Sequence, residues 1–352
     1  MSRKWYSLVI VLAVMIGQMI GIGTQTKATA FAAEEIVPSQ ESIVEVKPLN
    51  PIGIQVTFSE PIPESDVVLD MAKKNFQFSH GLVIRNIPQL KTGSKATYIV
   101  PTTVQKPGIV YTLSYKGEAP VSFNANTKKI PLRSVKQVAS DTFELVSSLQ
   151  DGVTDYQNIV QIHAGKRGGL DFIVDDNNAA GGRTYEVIPS LRDATVTITP
   201  DKGSPMTANY VLFTQATDGR QAPKFRLPEG ESLKPGMKYT VTSEWATIHN
   251  PTFKAKKIKP LAIVDVQAVD DTNLTVTFKK DPMDELFVGR RLKLMGADGS
   301  VVKAQYKTQS RKGASTTFEL LDGAKLKPGV SYRVAQIGQW AKIKPNYTLR
   351  YN

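Results

Sequence analysis

The chain has 352 residues, a formal net charge of +12 at pH 7 and no cysteine. The missing cysteine excludes both a lipoprotein attachment thiol and a disulfide framework, so each folding unit must stand on its own hydrophobic core. Arg3, Lys4 and Lys27 carry three of the positive charges within the first 32 residues, and +9 remains on the rest.

The N-terminus opens with Arg3 and Lys4, runs apolar from Leu8 to Gly23 and reaches small residues at Ala30-Phe31-Ala32. This order predicts a secretory signal over residues 1–32, cleaved before Ala33, with 33–41 as a short tail. The alternative is an uncleaved anchor, against which Gln18 and several glycines interrupt the apolar run. No later stretch is long and apolar enough to span a bilayer, so no stable membrane insertion is expected after cleavage.

One motif then occurs three times: Lys106-Pro107-Gly108 with Tyr111 and Leu113, Lys234-Pro235-Gly236 with Tyr239 and Val241, and Lys327-Pro328-Gly329 with Tyr332 and Val334. A Pro-Gly turn followed by a strand whose first inward residue is Tyr fits the corner between the fifth and sixth strands of an immunoglobulin-like sandwich. There the hydroxyl bonds back to the loop backbone. Tyr111, Tyr239 and Tyr332 are accordingly expected to be structural. Each turn is preceded by a matching strand: Tyr98-Ile99-Val100, Phe225-Arg226-Leu227 and Phe318-Glu319-Leu320.

Each unit also opens with alternating apolar residues, Val46 to Phe58 in the first and Val266 to Phe278 at the same spacing in the third. The second is looser, but Asp141-Thr142 matches Asp271-Thr272. The basic, Pro-stiffened joints Lys128-Lys129-Ile130-Pro131 and Lys256-Lys257-Ile258-Lys259-Pro260 divide the chain into domain one (42–130), domain two (131–259) and domain three (260–352). Helical periodicity is confined to Asp66–Lys74. The expected fold is all-β, three tandem immunoglobulin-like sandwiches in a semi-rigid rod.

The interval from Pro107 to Pro235 exceeds that from Pro235 to Pro328 by about 35 residues, which places an insertion in domain two, expected between Gly152 and Gly182. It contains the oxygen-rich cluster Asp171, Asp175, Asp176, Asn177 and Asn178, a weak calcium candidate without D-x-D-x-D-G spacing. An extra hairpin with polar turns is the plainer reading, and a ligand-binding loop the sharper one.

Val56-Thr57-Phe58-Ser59-Glu60-Pro61-Ile62, Asn75-Phe76 and the Lys-Pro-Gly-x-x-Tyr turn together resemble the bacterial Ig-like domains of S-layer and other Gram-positive cell-surface proteins. The resemblance covers the mature chain, with the middle copy divergent where Leu145-Val146-Ser147-Ser148 replaces V-T-F-S. It implies a secreted or cell-wall-associated structural role and no chemistry. A disulfide-free exported chain agrees with such a source.

No cysteine nucleophile, G-x-S-x-G elbow, H-E-x-x-H or P-loop occurs, and His80, His163 and His249 are dispersed. The protein is therefore expected to be no enzyme and to need no cofactor or metal. Trp245-Ala246 and Trp340-Ala341 recur after the Tyr strand, a position that favours core or joint packing over sugar stacking.

The charge excess lies in the last domain: residues 33–129 carry 10 basic and 9 acidic groups, 130–258 carry 15 and 14, and 259–352 carry 16 and 9. Arg291, Lys293, Lys303 and Lys307 alternate with apolar residues across the turn Ala297-Asp298-Gly299, with Arg311 and Lys312 at the next turn. As a hairpin this becomes a cationic face for an anionic cell-wall polymer, the expected partner alongside other surface proteins. Lysines that discourage edge pairing are the plainer reading. Sparse aromatic interleaving argues against nucleic acid. The leading expectation is a non-enzymatic structural or adhesive surface protein; the alternative is a soluble extracellular protein that binds a ligand on the domain-two loops.

Overall fold

Domain one builds a seven-stranded sandwich from alternation of inward apolar and outward polar residues. The computed structural model describes residues 41–352 except 158–159, 161–178, 181–182, 213–221 and 282–286. Residues 1–40, which hold the expected signal and all but the last residue of the expected tail (33–41), lie outside the described residues, as do His163 and the oxygen-rich cluster.

In domain one the strands are β1 (Ile43–Asn50), β2 (Gly53–Phe58), β3 (Phe76–Phe78), β4 (Gln89–Leu90), β5 (Thr97–Pro101), β6 (Val110–Tyr115) and β7 (Val121–Asn124). One sheet has the order β1-β2-β5-β4 and the other β3-β6-β7. On β2, Ile54, Val56 and Phe58 point inward; on β6, Tyr111, Leu113 and Tyr115 do. Phe58 sits edge-on to Tyr115 at 4.8 Å between ring centroids. The chain crosses from β2 to β3 through two short helices, α1 (Glu64–Val67) and α2 (Leu69–Asn75), interrupted where Val68 takes extended backbone angles.

Domain two contains β8 (Ile130–Gln137), β9 (Thr142–Val146), β10 (Val153–Asp155), β11 (Ala179–Ala180), β12 (Arg183–Thr184), β13 (Glu186–Ile188), β14 (Thr195–Pro200), β15 (Met206–Val211), β16 (Lys224–Arg226), β17 (Lys238–Thr242), β18 (Ala246–Asn250) and β19 (Thr252–Lys254). Domain three contains β20 (Leu261–Ala268), β21 (Asn273–Phe278), β22 (Arg291–Gly296), β23 (Val301–Tyr306), β24 (Ser315–Leu320), β25 (Ser331–Gln336), β26 (Ala341–Lys342) and β27 (Thr348–Arg350).

Leaving aside β10 to β13, the two domains have one topology, β18-β8-β9-β16-β15-β14-β17-β19 and β26-β20-β21-β24-β23-β22-β25-β27. In domain three, β23 pairs with β22 through Val301–Gln305 and with β24 from Ala304 onward, so a single strand connects the two faces. The segment after each Trp closes the other side. Ala246 pairs in parallel with Ile130, Ala341 with Leu261, and the carbonyls of Trp245 and Trp340 accept the Ile130 and Leu261 amides at 3.1 and 3.0 Å.

The first strand pairs of domains one and three share a register, Val46 opposite Val56 and Val266 opposite Val276. Both carry an irregularity at the same place, which leaves Val44 and Val264 outside their cores. Apolar clusters around Phe58, Phe225 and Phe318 fill the three interiors. Fully burying one such large side chain contributes about 1.5–3 kcal/mol, which is how units without disulfides hold together.

Candidate functional site

The three Lys-Pro-Gly turns share one geometry. Gly108, Gly236 and Gly329 take φ of 73°, 88° and 78°, values that glycine adopts without Cβ strain. The residue after each Gly donates its amide back to the Lys carbonyl. Tyr111, Tyr239 and Tyr332 are almost wholly buried, and each hydroxyl accepts the amide N–H of its own Lys106, Lys234 or Lys327 at 2.9 Å. The hydroxyl is thus the acceptor, and a Phe in its place strands a backbone donor. Tyr111 stacks on Phe123 and Tyr239 on Phe253 at 5.7 Å, whereas Leu349 stands opposite Tyr332.

The joint between the first two domains is packed. The domain-two insertion runs from β9 to β14. Its described part forms a parallel pair, β10 with β13, and a small hairpin, β11 with β12. This part leans on the outer face of β2 and β5: Tyr156 and Tyr185 bury Ile99, and the Tyr156 hydroxyl accepts the Thr92 amide at 2.9 Å. Asn86 donates to Ser190 and Gln157 and accepts from Arg192. Pro189 fits against Gly53 so closely that a Cβ there would lie 2.2 Å from its ring.

Two clefts flank this joint. One, of about 670 Å³, is lined by Lys47, Lys91, Lys128 and Lys129 with Gln55, Ile99 and Tyr156, and one carboxylate, Glu186. Burial pushes the Glu186 carboxyl above its ordinary range. The other, of about 440 Å³, is lined by Arg85, Lys129 and Arg192, by serine and threonine hydroxyls, and by Glu244.

The joint between domains two and three is electrostatic. Arg290 donates to both oxygens of Asp141, at 2.5 and 2.9 Å, and lies over the Trp340 ring at 5.5 Å. Arg226 reaches the Val288 carbonyl and donates to the Thr142 hydroxyl at 3.3 Å. Burial opposes ionisation of Asp141, but the Arg290 hydrogen bonds and charge, with Arg226 behind, hold its carboxyl below the usual range. Burial, with Arg290 as a like-charged neighbour, pulls Arg226 down to about 9, leaving it cationic at neutral pH. Asp271, the counterpart of Asp141, instead faces Lys325 at 2.7 Å on the surface.

The cationic residues of domain three divide. Lys293 stands directly opposite Lys303 on β22 and β23. Arg291 shares their face but pairs with Glu229 of domain two at 2.9 Å and donates to Gln305. Lys307 lies beyond β23 near Glu319 at 3.9 Å, Arg311 meets Asp281 at 2.6 Å, and the Lys312 backbone bridges to Ser315. Arg333, which the sequence pattern did not single out, enters the same face opposite Met295. It was missed because it comes from the Tyr strand, distant in sequence from the hairpin.

Trp245 and Trp340 are buried, Trp245 donating to the Thr195 carbonyl at 3.1 Å and Trp340 stacking on Phe318. His80 and His249 are exposed and far apart in the fold, on domains one and two. Glu144, buried between Lys136 at 3.2 Å and Lys224 at 3.9 Å, is the charged cluster of the domain-two sheet. Among the described residues no group of three His, Asp or Glu side chains could hold a metal ion, and no helix is long and apolar enough to cross a membrane.

No family model and no curated protein sequence matches this chain. Among solved structures it is similar to the FN1–FN3 domains of chicken CNTN1, at 13% identity over 89% of this chain and 98% of that one, with a TM-score of 0.20. It is similar to the S-layer protein SbsC at 12% identity, over 89% of this chain and 54% of that one, with a TM-score of 0.19. The titin I9–I11 tandem gives 12% identity over 89% and 99%, with a TM-score of 0.22. Strand order and the three tyrosine corners carry the assignment of tandem immunoglobulin-like sandwiches.

Proposed function

We propose that this protein is a non-enzymatic structural or adhesive component of a Gram-positive-type cell surface, exported by the signal over residues 1–32 and held at the wall by anionic polymer. The observation that carries the reading is the pair of packed joints. Gly53 against Pro189 and Asp141 with Arg290 tie three successive sandwiches together, as a load-transmitting or spacing element requires. The described part of the insertion serves the first joint, which favours the scaffold over a free ligand-binding loop. Lys293 and Lys303, which face each other and form no ion pair among the described residues, are the strongest of the domain-three cations for polymer contact, because an anion between them relieves their repulsion.

Fractionation of producing cells into medium, salt-extractable wall and membrane tests the reading. Recovery in the salt-extractable wall is expected, since exposed charge contacts are screened over about 8–10 Å at physiological ionic strength. Recovery with the membrane or inside the cell would overturn it.

A further inference from the structure

In domain three Arg290, Arg291, Lys307, Arg311, Lys325 and Lys327 face carboxylates; the cations at the joint of domains one and two do not. Lys47, Lys91, Lys128, Lys129, Arg85 and Arg192 line the two clefts there, and among the described residues none of the six forms an ion pair. Their hydrogen bonds go to neutral acceptors: Lys129 to the Ser243 carbonyl, Lys91 to Gln55 and Arg192 to Asn86. Two carboxylates, Glu186 and Glu244, share the clefts with six cations. Concave walls of one charge sign concentrate field lines on a counter-ion.

We propose that this joint is a binding site for a polyanionic glycan, a chain of sugar or polyol units bearing phosphate or carboxylate groups. Lys129 lines both clefts, so one chain laid across the linker meets the Arg85 and Arg192 side and the Lys47, Lys91 and Lys128 side in turn. The larger cleft adds apolar surface from Ile99 and amides from Gln55 and Asn126, and the smaller adds threonine hydroxyls. That mixture suits sugar rings, which present C–H faces and hydroxyls together. Nucleic acid finds little to stack on, because Tyr156 is 3% exposed and its hydroxyl is committed to Thr92. The contacts of Gly53 with Pro189 and of Asn86 with Ser190 hold the two walls in register before any ligand arrives, which lowers the ordering cost of binding. The proposal rests on the surface-protein reading only for the source of the polymer.

The test is a titration of the whole mature chain with four probes at low salt: poly(glycerol phosphate), polygalacturonate, neutral dextran and a single-stranded oligonucleotide. It compares the parent with a joint variant, Lys47→Gln, Lys91→Gln, Lys128→Gln and Arg192→Gln, and with a domain-three variant, Lys293→Gln and Lys303→Gln. All changes are on partly or fully exposed side chains, and unchanged melting of each variant establishes folding. The expected result is anionic-glycan binding weakened about ten- to hundredfold in the joint variant, whatever the domain-three variant does, with no dextran binding. The preferred polymer identifies phosphate or carboxylate as the recognised group. Loss confined to the domain-three variant would overturn the joint site and leave the proposed function standing. An oligonucleotide bound more tightly than either glycan would overturn the ligand class, and a parent that binds no polyanion would overturn both.

Discussion

Arg290 grips both oxygens of Asp141 across the joint of domains two and three, at 2.5 and 2.9 Å, although the two stand 149 positions apart in the chain. Breaking a buried pair by removing one member leaves the other charge uncompensated. Asp141→Ala should therefore loosen this joint by about 3–5 kcal/mol, opening the boundary to proteolysis while domain one remains intact. Limited proteolysis with mass mapping of the cut sites checks this.

The same pair sets an acid limit. Asp141 has its folded pKa depressed, so its contribution is fully present above the ordinary Asp value of 3.8 and is lost as pH falls through the lower folded value. Loosening of the joint is expected below about pH 4. In Asp141→Asn that acid-dependent step should disappear, as read by hydrogen exchange at residues 287–291 against pH.

Each tyrosine corner should act on its own domain. Tyr111→Phe, Tyr239→Phe and Tyr332→Phe remove the acceptor for the Lys106, Lys234 and Lys327 amides and should each cost about 1–3 kcal/mol. Domain-resolved hydrogen exchange should show one destabilised unit per substitution. Equal loosening of all three would contradict the corner as a local device.

Gly53 is a steric requirement of the first joint. An added Cβ would lie 2.2 and 2.6 Å from two Pro189 ring carbons, so Gly53→Ala must push the insertion off β2. Overpacking of this kind costs about 1–3 kcal/mol. Raised exchange at Thr92 and Ile99, whose cover comes from Tyr156, would report the separation.

Lys293 and Lys303 face each other as like charges, so Lys303→Glu should replace repulsion by attraction and raise domain-three stability by about 0.2–1 kcal/mol. The same change should weaken retention on purified wall at low salt. Thermal melting and wall pull-down, measured on one variant, must move in opposite directions for the face to be a polymer contact.

The all-β character, the repeat of three and the location of the corners were legible in the sequence, because strand alternation and a Pro-Gly turn are local rules with periods of two and four residues. The Val46–Val56 and Val266–Val276 registers follow from that same spacing. The middle copy is less legible: its β9 is buried along its whole length, so no alternation marks it. What the tertiary structure decided is where charge goes. Domain one counts as nearly neutral along the chain, yet folding gathers Lys47 and Lys91 with the linker lysines and Arg192 of domain two into one joint. Domain three counts as strongly basic, yet folding brings Glu229 to Arg291, Asp281 to Arg311 and Glu319 to Lys307. Net charge is a sum over sequence, whereas a binding surface depends on distances between charges, and those distances are set only when residues as far apart as Asp141 and Arg290 are packed together.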